Sequence, residues 1–294
     1  RNNIWNTPYL FNAKEFDEET GLYYYGARYY EPKLSQFLSV DRYSENYPNF
    51  SPYSYVGNNP IKYIDVNGDS IVINNRGYVN YYNSNDPDTR VFLNNRCIGS
   101  LGSTINANGW FDNLLSDNAK ESDDLFSPLT FKNYVQQYGK WDYKYRSPAN
   151  KNSETRSMKY HILGIAFYRK DKSKGLGDLP ETYFLFRNNP KARAEDLNNF
   201  HFGVVGKSFW MFSEEFMLKT AGAVEMQKWA EDYKLGKRPT PYVPESWRPI
   251  IVTGYYPSVM GGGPIYEIGW PYGDNPKDSR WIIRGFNYYK SHMK

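Results

Sequence analysis

Histidine is scarce in this 294-residue chain, which limits where imidazole chemistry can occur. The three histidines are His161, His201 and His292. His201 lies in the glycine-punctuated stretch NNFHFGVVGK, directly before a predicted helix, where backbone can approach a substrate closely. It can serve as a general base or acid near neutral pH, with Lys207 stabilising a developing negative charge. The alternative is a buried histidine bonded to backbone.

A second candidate is the acid-x-lysine pair Asp142 and Lys144 in the segment KWDYK. Such a pair after an extended strand is typical of metal-dependent nucleases, in which the aspartate holds a divalent ion and the lysine activates water. Asp123 or Asp124 would supply the upstream metal ligand. The alternative is a surface salt pair, so metal dependence is left open.

The third candidate is a group of acids at two predicted helix starts, Glu214, Glu215, Asp274 and Asp278. Two carboxylates that face a cleft can cut a glycosidic bond, one as acid and the other as base or nucleophile. The alternative is helix capping, because acids are common in the first turn. Asp274 is the best of the four, since it stands in a loop before the cap.

Composition excludes several kinds of site. The single cysteine, Cys97, excludes an internal disulfide framework and leaves too few thiolates for a structural zinc site. The triple glycine at 261–263 lacks the ending of a phosphate-binding loop, so we expect no nucleotide there and no cofactor. No apolar run approaches the roughly 18 residues that cross a bilayer, so we expect no membrane insertion.

Two strong helices are predicted near the candidate acids. One covers Glu214–Asp232 with Ser213 as N-cap, and the other runs from about Pro276 to Lys290 with Asn275 as N-cap. Other elements have weaker sequence signals. They are a strand pair at 70–79, helical spacing at 111–115 and 129–138, a buried apolar element at 160–168, a polar loop at 169–177, and an irregular Pro/Gly-rich stretch at 239–273.

The first 69 residues differ from the rest in composition. They hold 11 of the 29 tyrosines and have a net charge of −3, whereas residues 70–294 have a net charge of +7. The stretch LYYYGARYY at 22–30 favours β structure, and turn signals surround it. We therefore predict short antiparallel strands that need a larger sheet to join. The basic remainder suits an anionic partner, either nucleic acid or a cell-wall polymer.

Residues 7–69 resemble the Rhs-associated core domain through the blocks GLYYYGARYYEP, FLSVD and YVGNNPIKYIDVNGD. The resemblance implies that this segment closes one end of a YD-repeat shell around a toxin. It also implies a pair of aspartates for self-cleavage, Asp41 and Asp65 at the matching positions. Val66 and Asp69 stand where that pattern has proline and leucine, and the alternative is that both aspartates cap turns.

The C-terminal part resembles the bacterial polymorphic toxin type 44 family. The resemblance rests on four blocks in order, KWDYK, NNFHFGVVGK, FSEEFMLKTAG and YGDNPKDSRWIIRGFNYY. It implies an effector used in competition between bacteria and a cognate immunity protein as partner. The resemblance of residues 7–69 further implies an upstream Rhs/YD-repeat shell. Because Arg1 is not an initiator residue, we expect the chain to be a fragment.

The sequence therefore predicts an α+β protein with two domains, an Rhs core terminus at 1–69 and a toxin domain at 70–294. We expect a secreted protein that is delivered into or onto a competing bacterial cell. Three functions remain open: a hydrolase acting on RNA through His201, Lys207 and a carboxylate without metal, a peptidoglycan glycan hydrolase in the periplasm, and a non-enzymatic binding effector.

Overall fold

The computed structural model describes residues 9–11, 14–25, 28–40, 51–55, 58, 71–82, 89–94, 96–150, 160–169, 179–256 and 263–293. Asp41 and Asp65, the self-cleavage candidates, lie outside the described residues. The same holds for the predicted domain junction at 69/70 and for nearly all of the predicted polar loop at 169–177. These four expectations therefore stay predictions.

The protein is mixed α+β, as predicted, with strands concentrated in its first part and helices in its second. The described strands are β1 (Tyr9–Phe11), β2 (Lys14–Asp17), β3 (Leu22–Tyr24), β4 (Tyr29–Glu31), β5 (Gln36–Phe37), β6 (Ile71–Ile73), β7 (Val79–Tyr81), β8 (Arg90–Leu93), β9 (Arg96–Ser100), β10 (Thr104–Asn106), β11 (Tyr183–Leu185), β12 (Ile250–Tyr256) and β13 (Gly263–Ile268). The α-helices are α1 (Trp110–Asp123), α2 (Pro128–Val135), α3 (Ile162–Arg169), α4 (Ala194–Ser208), α5 (Glu214–Lys234) and α6 (Pro276–His292).

The chain divides into two compact units. The first unit consists of Arg1–Phe111 and Arg146–Lys191, and the second consists of Asp112–Tyr145 and Ala192–Lys294. No helix in the described part of the chain is both long and apolar enough to cross a membrane.

An antiparallel sheet forms the start of the first unit, with strand order β1-β2-β3-β4-β5. Its aromatic residues build a small core of their own, Tyr23, Tyr25, Tyr30, Phe37 and Tyr55. Within that core, the hydroxyls of Tyr25 and Tyr55 lie 3.0 Å apart. The predicted short antiparallel strands are therefore confirmed, and the dense tyrosines form the packing surface that holds them together.

A second sheet of the first unit has the order β11-β10-β9-β8-β6-β7 and mixes parallel with antiparallel pairs. The pairing of β6 with β7 confirms the strand pair predicted just after residue 70. The apolar run at 160–168 is the buried helix α3, in agreement with the prediction of a buried element.

Helices α5 and α6 of the second unit begin where the sequence predicted. Ser213 Oγ accepts the N–H of Phe216 at 3.1 Å to cap α5, and Asn275 Oδ1 accepts the N–H of Lys277 at 2.9 Å to cap α6. Both N-cap predictions are thereby confirmed, and both helices extend two residues beyond their predicted ends. α2 begins at Pro128 in the same way, with Ser127 as N-cap.

Helix α4 was not predicted, because its glycines suggested a segment open to substrate. Its Gly203 instead faces Gly285 of α6, and a Cβ at Gly203 would overlap the backbone carbonyl of Ile282. A Cβ at Gly285 would overlap the carbonyl of Phe200. The glycines therefore permit two helix backbones to approach each other, and no substrate reaches the backbone at this point.

The stretch at 239–273 is more regular than predicted. It contains the antiparallel hairpin β12–β13, with Ile250 opposite Ile268 and Tyr256 opposite Gly263. Its first strand lacks an alternating pattern, since Ile250, Ile251 and Val252 are all exposed. The usual period-two signal of a half-buried strand is therefore missing from the sequence.

Candidate active site

Five ionisable residues of the second unit interact electrostatically and form the arrangement that we call the carboxylate site. They come from the 3₁₀ turn Tyr143–Tyr145, the first turn of α4, the loop before α6 and the first turn of α6. The carboxylate site consists of Lys144, Glu195, Asp196, Asp274 and Asp278. Two of these residues, Asp274 and Asp278, belong to the group of four acids predicted for glycosidic cleavage, and Lys144 was predicted for a different mechanism.

Asp274 is a buried acid, only 6% exposed, at the end of the loop before α6. Its Oδ2 accepts the Ser279 hydroxyl at 2.7 Å, and its Oδ1 accepts the N–H of Asn275 at 2.8 Å. Burial raises the pKa of Asp274 to about 6, although these two hydrogen bonds oppose the rise. The charges of Glu225 and Glu195 raise this pKa further. Asp274 therefore exchanges its proton near neutral pH.

Asp278 lies in the first turn of α6, where a helix terminus ordinarily favours a charged carboxylate. Burial nevertheless raises the pKa of Asp278 to about 7. The negative charges of Glu195, Asp274 and Asp196 add to the rise, and Lys144 opposes it. A carboxyl group with a pKa near 7 can hold a proton at neutral pH and donate it to a leaving group.

Lys144 supplies a positive charge to the carboxylate site. Its Nζ lies 3.6 Å from Glu195 Oε1, and 19% of its side chain is exposed. Burial by itself lowers the pKa of Lys144, but the charges of Glu195, Asp142 and Asp278 outweigh burial and raise it. The ammonium group therefore stays protonated and can stabilise negative charge that develops nearby.

Asp196 has a structural role at the start of α4. Its Oδ2 accepts the backbone N–H of Arg193 at 2.8 Å, which caps the helix. The Lys277 ammonium lies 3.2 Å from Asp196 Oδ1, and the Arg193 guanidinium lies 3.3 Å from it. Because Asp196 is 1% exposed and fully paired by these groups, it holds the first turns of α4 and α6 together.

A buried network behind Lys144 positions the 3₁₀ turn. The N–H of Tyr143 donates to Asn198 Oδ1 at 3.2 Å, and Asn118 Nδ2 donates to the Tyr143 hydroxyl at 2.5 Å. Asn118 Nδ2 also lies 2.9 Å from His201 Nε2. The network ties the turn that carries Lys144 to α1 and α4, so the lysine has a defined place in the carboxylate site.

His201 lies in the interior of the second unit. It is 1% exposed, and its ring packs edge-on against Tyr143 at 5.1 Å and Trp141 at 6.1 Å between centroids. This position favours the alternative of a buried, hydrogen-bonded histidine, with the Asn118 side chain as one partner. Lys207 follows six residues later on the same helix, about 120° away around the axis. The two side chains therefore do not converge on one atom.

Lys207 and Glu214 pair with each other at the opposite end of α4. Lys207 Nζ lies 2.7 Å from Glu214 Oε1, and Lys290 Nζ lies at the same distance from the same oxygen. Burial works to raise the pKa of Glu214, but the two lysines outweigh it and lower the pKa. Lys207 is about 18 Å along the helix from Glu195. The Lys207–Glu214 pair therefore lies apart from the carboxylate site.

The segment KWDYK does not follow an extended strand, and that part of the prediction is wrong. Asp142 lies in a turn after α2, is 4% exposed, and accepts the N–H of Tyr138 on Oδ2 at 3.0 Å. Its burial also contradicts the alternative of a surface salt pair. Within the described residues, no group of three or more acids, histidines or cysteines is arranged to hold a metal ion.

Comparison with known proteins finds only short similarities. The curated protein "Salivary gland surface protein 1" of Aedes aegypti is 47% identical over 60 residues, which cover 20% of this chain and 2% of that protein. The "tRNA nuclease WapA" of Bacillus subtilis (strain 168) is 38% identical over 82 residues, covering 26% of this chain and 4% of the nuclease. A "tRNA(Glu)-specific nuclease WapA" of Bacillus subtilis subsp. natto is 38% identical over 68 residues, which cover 22% of this chain and 3% of that nuclease.

These similarities leave the family of the chain open. The chain spans 4% or less of the length of these curated relatives. No protein-family model matches it. No solved structure matches it. The carboxylate site extends from Lys144 to Asp278, a longer stretch than any of these matches, so none of them can include the whole site.

Glu195 and Asp196 are site residues that the sequence did not single out. They lie in the stretch RAEDLNN, which reads as an ordinary helix start with acids in the first turn. Their role depends on the packing of α4 against α6, which brings two acid-bearing helix starts to one place. Single-sequence reasoning has no signal for such a contact.

Replacement of His201 provides a test of its structural role. We expect His201→Ala to lower the free energy of unfolding by about 2–4 kcal/mol, because it leaves a cavity and removes one hydrogen-bond partner of the Asn118 amide. Urea denaturation followed by circular dichroism measures the change. His292→Ala, at the exposed end of α6, is the control and should change stability by less than about 0.5 kcal/mol. Unaltered stability together with lost activity would instead identify His201 as catalytic.

Proposed function

We propose that this chain is a hydrolytic toxin whose carboxylate site cleaves RNA by acid–base catalysis. The observation that carries the proposal is the pair of aspartates with pKa values raised to about 6 at Asp274 and about 7 at Asp278. Such values are matched to proton transfer at neutral pH, and Lys144 lies beside them.

The roles follow from the order of the two pKa values. Asp274 has the lower pKa and takes the proton of the ribose 2′-hydroxyl, whose oxygen then forms a bond to phosphorus. The bond between phosphorus and the 5′-oxygen breaks, and Asp278 gives its proton to that oxygen. Lys144 stabilises the negative charge on the phosphoryl oxygens in the transition state. The product is a 2′,3′-cyclic phosphate, which water opens in a second step.

Two observations support RNA as the substrate. Residues 70–294 have a net charge of +7, which favours association with a polyanion. The chain is also 38% identical, over 26% of its length, to a protein named tRNA nuclease. That match covers 4% of the nuclease, so RNA cleavage by this chain is our proposal.

A glycan substrate is the second candidate, and the carboxylate pair is the observation that favours it. Hydrolysis of a glycosidic bond also needs one protonated and one ionised carboxyl group. Asp278 would protonate the leaving oxygen, and Asp274 would act as base or nucleophile. Peptidoglycan is the corresponding substrate for a toxin that acts in the periplasm.

The biological setting is part of the same proposal. Residues 7–69 resemble an Rhs-associated core and the C-terminal part resembles type 44 polymorphic toxins, which supports a role in competition between bacteria. We propose that the chain is secreted, that it follows an upstream YD-repeat shell, and that a cognate immunity protein binds it.

The decisive experiment compares the two substrates directly. The full chain is incubated with total RNA and, separately, with purified sacculi, each with Mg²⁺ and with EDTA. We expect RNA to be fragmented and sacculi to remain intact. Release of soluble glycan without RNA cleavage would replace the first candidate with the second, and degradation of neither would refute both.

The pH dependence of cleavage tests the assignment of the two aspartates. We expect a bell-shaped profile with its maximum between about pH 6 and 7. The rate falls below this range because Asp274 becomes protonated, and it falls above because Asp278 loses its proton. Initial rates on a labelled RNA across pH 4–9 measure the profile. A rate that stays constant from pH 5 to 9 would contradict the assignment.

A further inference from the structure

Three aromatic rings of the second unit carry positively charged side chains, and two of these rings, Tyr242 and Trp270, are exposed. The Arg238 guanidinium carbon lies 4.0 Å from the centroid of Trp229, and that of Arg248 lies 5.1 Å from the centroid of Tyr242. Arg280 lies 5.9 Å from the Trp270 centroid in the same way. We call these three pairs the arginine–aromatic surface. They come from α5, the segment between α5 and β12, and the loop and helix at α6.

The arginine–aromatic surface is joined to the carboxylate site through backbone. Trp247 packs edge-on against Trp229 at 5.6 Å, and its carbonyl accepts the N–H of Gly273 at 2.5 Å. Gly273 directly precedes Asp274, and Trp270 belongs to the same loop. The surface therefore begins at the loop that holds the buried Asp274.

The segment between α5 and β12 is held in place by specific contacts. Trp229 Nε1 donates to the carbonyl of Thr240 at 3.0 Å, and the Thr240 hydroxyl donates to the carbonyl of Tyr242 at 3.0 Å. Val243, 3% exposed, anchors the segment in the interior. Tyr242 itself remains 64% exposed and Trp270 39% exposed. These two rings are therefore presented to solvent on an ordered support.

The positive charges of the three arginines of the surface are available to an anionic ligand. Among the residues that the structure describes, none of Arg238, Arg248 and Arg280 forms an ion pair with a carboxylate. Lys237, in contrast, is neutralised by Asp232 at 3.5 Å. Solvent-facing rings next to unpaired guanidinium groups are the combination that proteins use to bind single-stranded nucleic acid. The bases stack on the rings while the arginines contact phosphates.

We propose that the arginine–aromatic surface binds single-stranded RNA and leads it to the carboxylate site. The choice of RNA rests on the proposed function, but binding can be measured without cleavage. Duplex RNA presents no unstacked bases to Tyr242 and Trp270, so the surface selects single strands. Peptidoglycan also offers sugar rings that stack on aromatics and carboxylates that pair with arginine, but RNA has a phosphate at every nucleotide, and this higher charge density favours RNA at three guanidinium groups.

The experiment measures binding in the full chain carrying Asp278→Asn, so that RNA is not consumed. Fluorescence anisotropy is recorded with a short labelled single-stranded RNA, with its duplex, and with soluble peptidoglycan fragments as competitor. We expect Tyr242→Ala and Trp270→Ala each to weaken single-strand binding by about 5- to 100-fold. Arg238→Gln with Arg280→Gln should reduce the slope of log K against log salt by about 1.4.

Matched controls come from the first unit. Tyr160→Ala removes a ring that is also 39% exposed, and Arg96→Gln removes an exposed arginine. Both should leave RNA affinity unchanged. Melting curves of all variants must coincide, which ensures that the exposed substitutions act on binding and not on folding.

Several outcomes would overturn the proposal. Equal affinity for duplex and single strand would do so, as would RNA affinity that is indifferent to the four substitutions, or binding of glycan fragments without RNA. The proposed function is separable from these results. If RNA binds at this surface but is never cleaved, the proposed function fails while the surface stands. If RNA is cleaved but the surface variants bind it with unchanged affinity, the proposal for the surface fails while the proposed function stands.

Discussion

Asp278→Asn is expected to reduce the rate of hydrolysis by about 10²- to 10⁴-fold, because an amide cannot donate the proton that the leaving oxygen needs. The substitution conserves size, and the N–H groups of the first turn of α6 remain satisfied by Asn275. Single-turnover rates with the substrate in excess of its dissociation constant separate this loss from a loss of binding.

The same substitution should make the protein more stable at alkaline pH. Asp278 has a pKa of about 7 when folded, against the ordinary aspartate value of 3.8, so the folded state holds the proton more tightly. The raised pKa of Asp278 contributes to the free energy of unfolding. This contribution is fully present below about pH 4 and is lost as the pH rises to about 7. Asparagine avoids this loss. Above pH 7 we expect Asp278→Asn to raise the free energy of unfolding by up to about 4 kcal/mol.

These two effects together distinguish an active-site acid from a structural one. Urea denaturation at pH 5 and pH 8 measures the stability, and the difference between variant and parent should be larger at pH 8. Asp232→Asn, on the paired Lys237–Asp232 surface contact, is the control and should change neither rate nor stability appreciably. An Asp278→Asn protein that is less stable at both pH values would refute the assignment.

Gly285→Ala is expected to lower the free energy of unfolding by about 1–3 kcal/mol. In an exposed helix, the same change raises the free energy of unfolding by as much as about 1 kcal/mol. The added Cβ would overlap the carbonyl of Phe200 and lie 3.0 Å from the Cα of Gly203. Backbone atoms cannot move aside as a flexible side chain does, so α4 and α6 must separate.

Urea denaturation with tryptophan fluorescence measures this effect. Asn287→Ala, on the exposed face of the same helix, should change stability by less than about 0.5 kcal/mol. Gly203→Ala should be destabilising as well, and the double variant should lose less than the sum, because one separation of the helices accommodates both methyl groups. Unchanged midpoints for both single variants would show that the helices are not in close contact.

Local features of this protein could be predicted from its sequence because the interactions that produce them connect neighbouring residues. The starts of α5 and α6 depend on Ser213 and Asn275, each of which accepts an N–H two or three residues ahead. The antiparallel strands β3, β4 and β5 pair with neighbours that are close in the sequence, within a stretch of aromatic and β-favouring residues. Asp274 was identified for a similar reason, since a loop acid directly before a capped helix is visible in the sequence.

The tertiary structure decided which acids act together. Lys144 and Glu195 are 51 positions apart and Asp278 is 83 positions beyond Glu195, yet all three interact because α4 packs on α6 through Gly203 and Gly285. Packing also buried His201 and separated it from Lys207, which the sequence had grouped. The raised pKa values of Asp274 and Asp278 arise from burial and from the charges of neighbouring acids, Glu195 among them in both cases. Desolvation and long-range proximity are properties of the packed chain, and no residue type or spacing expresses them.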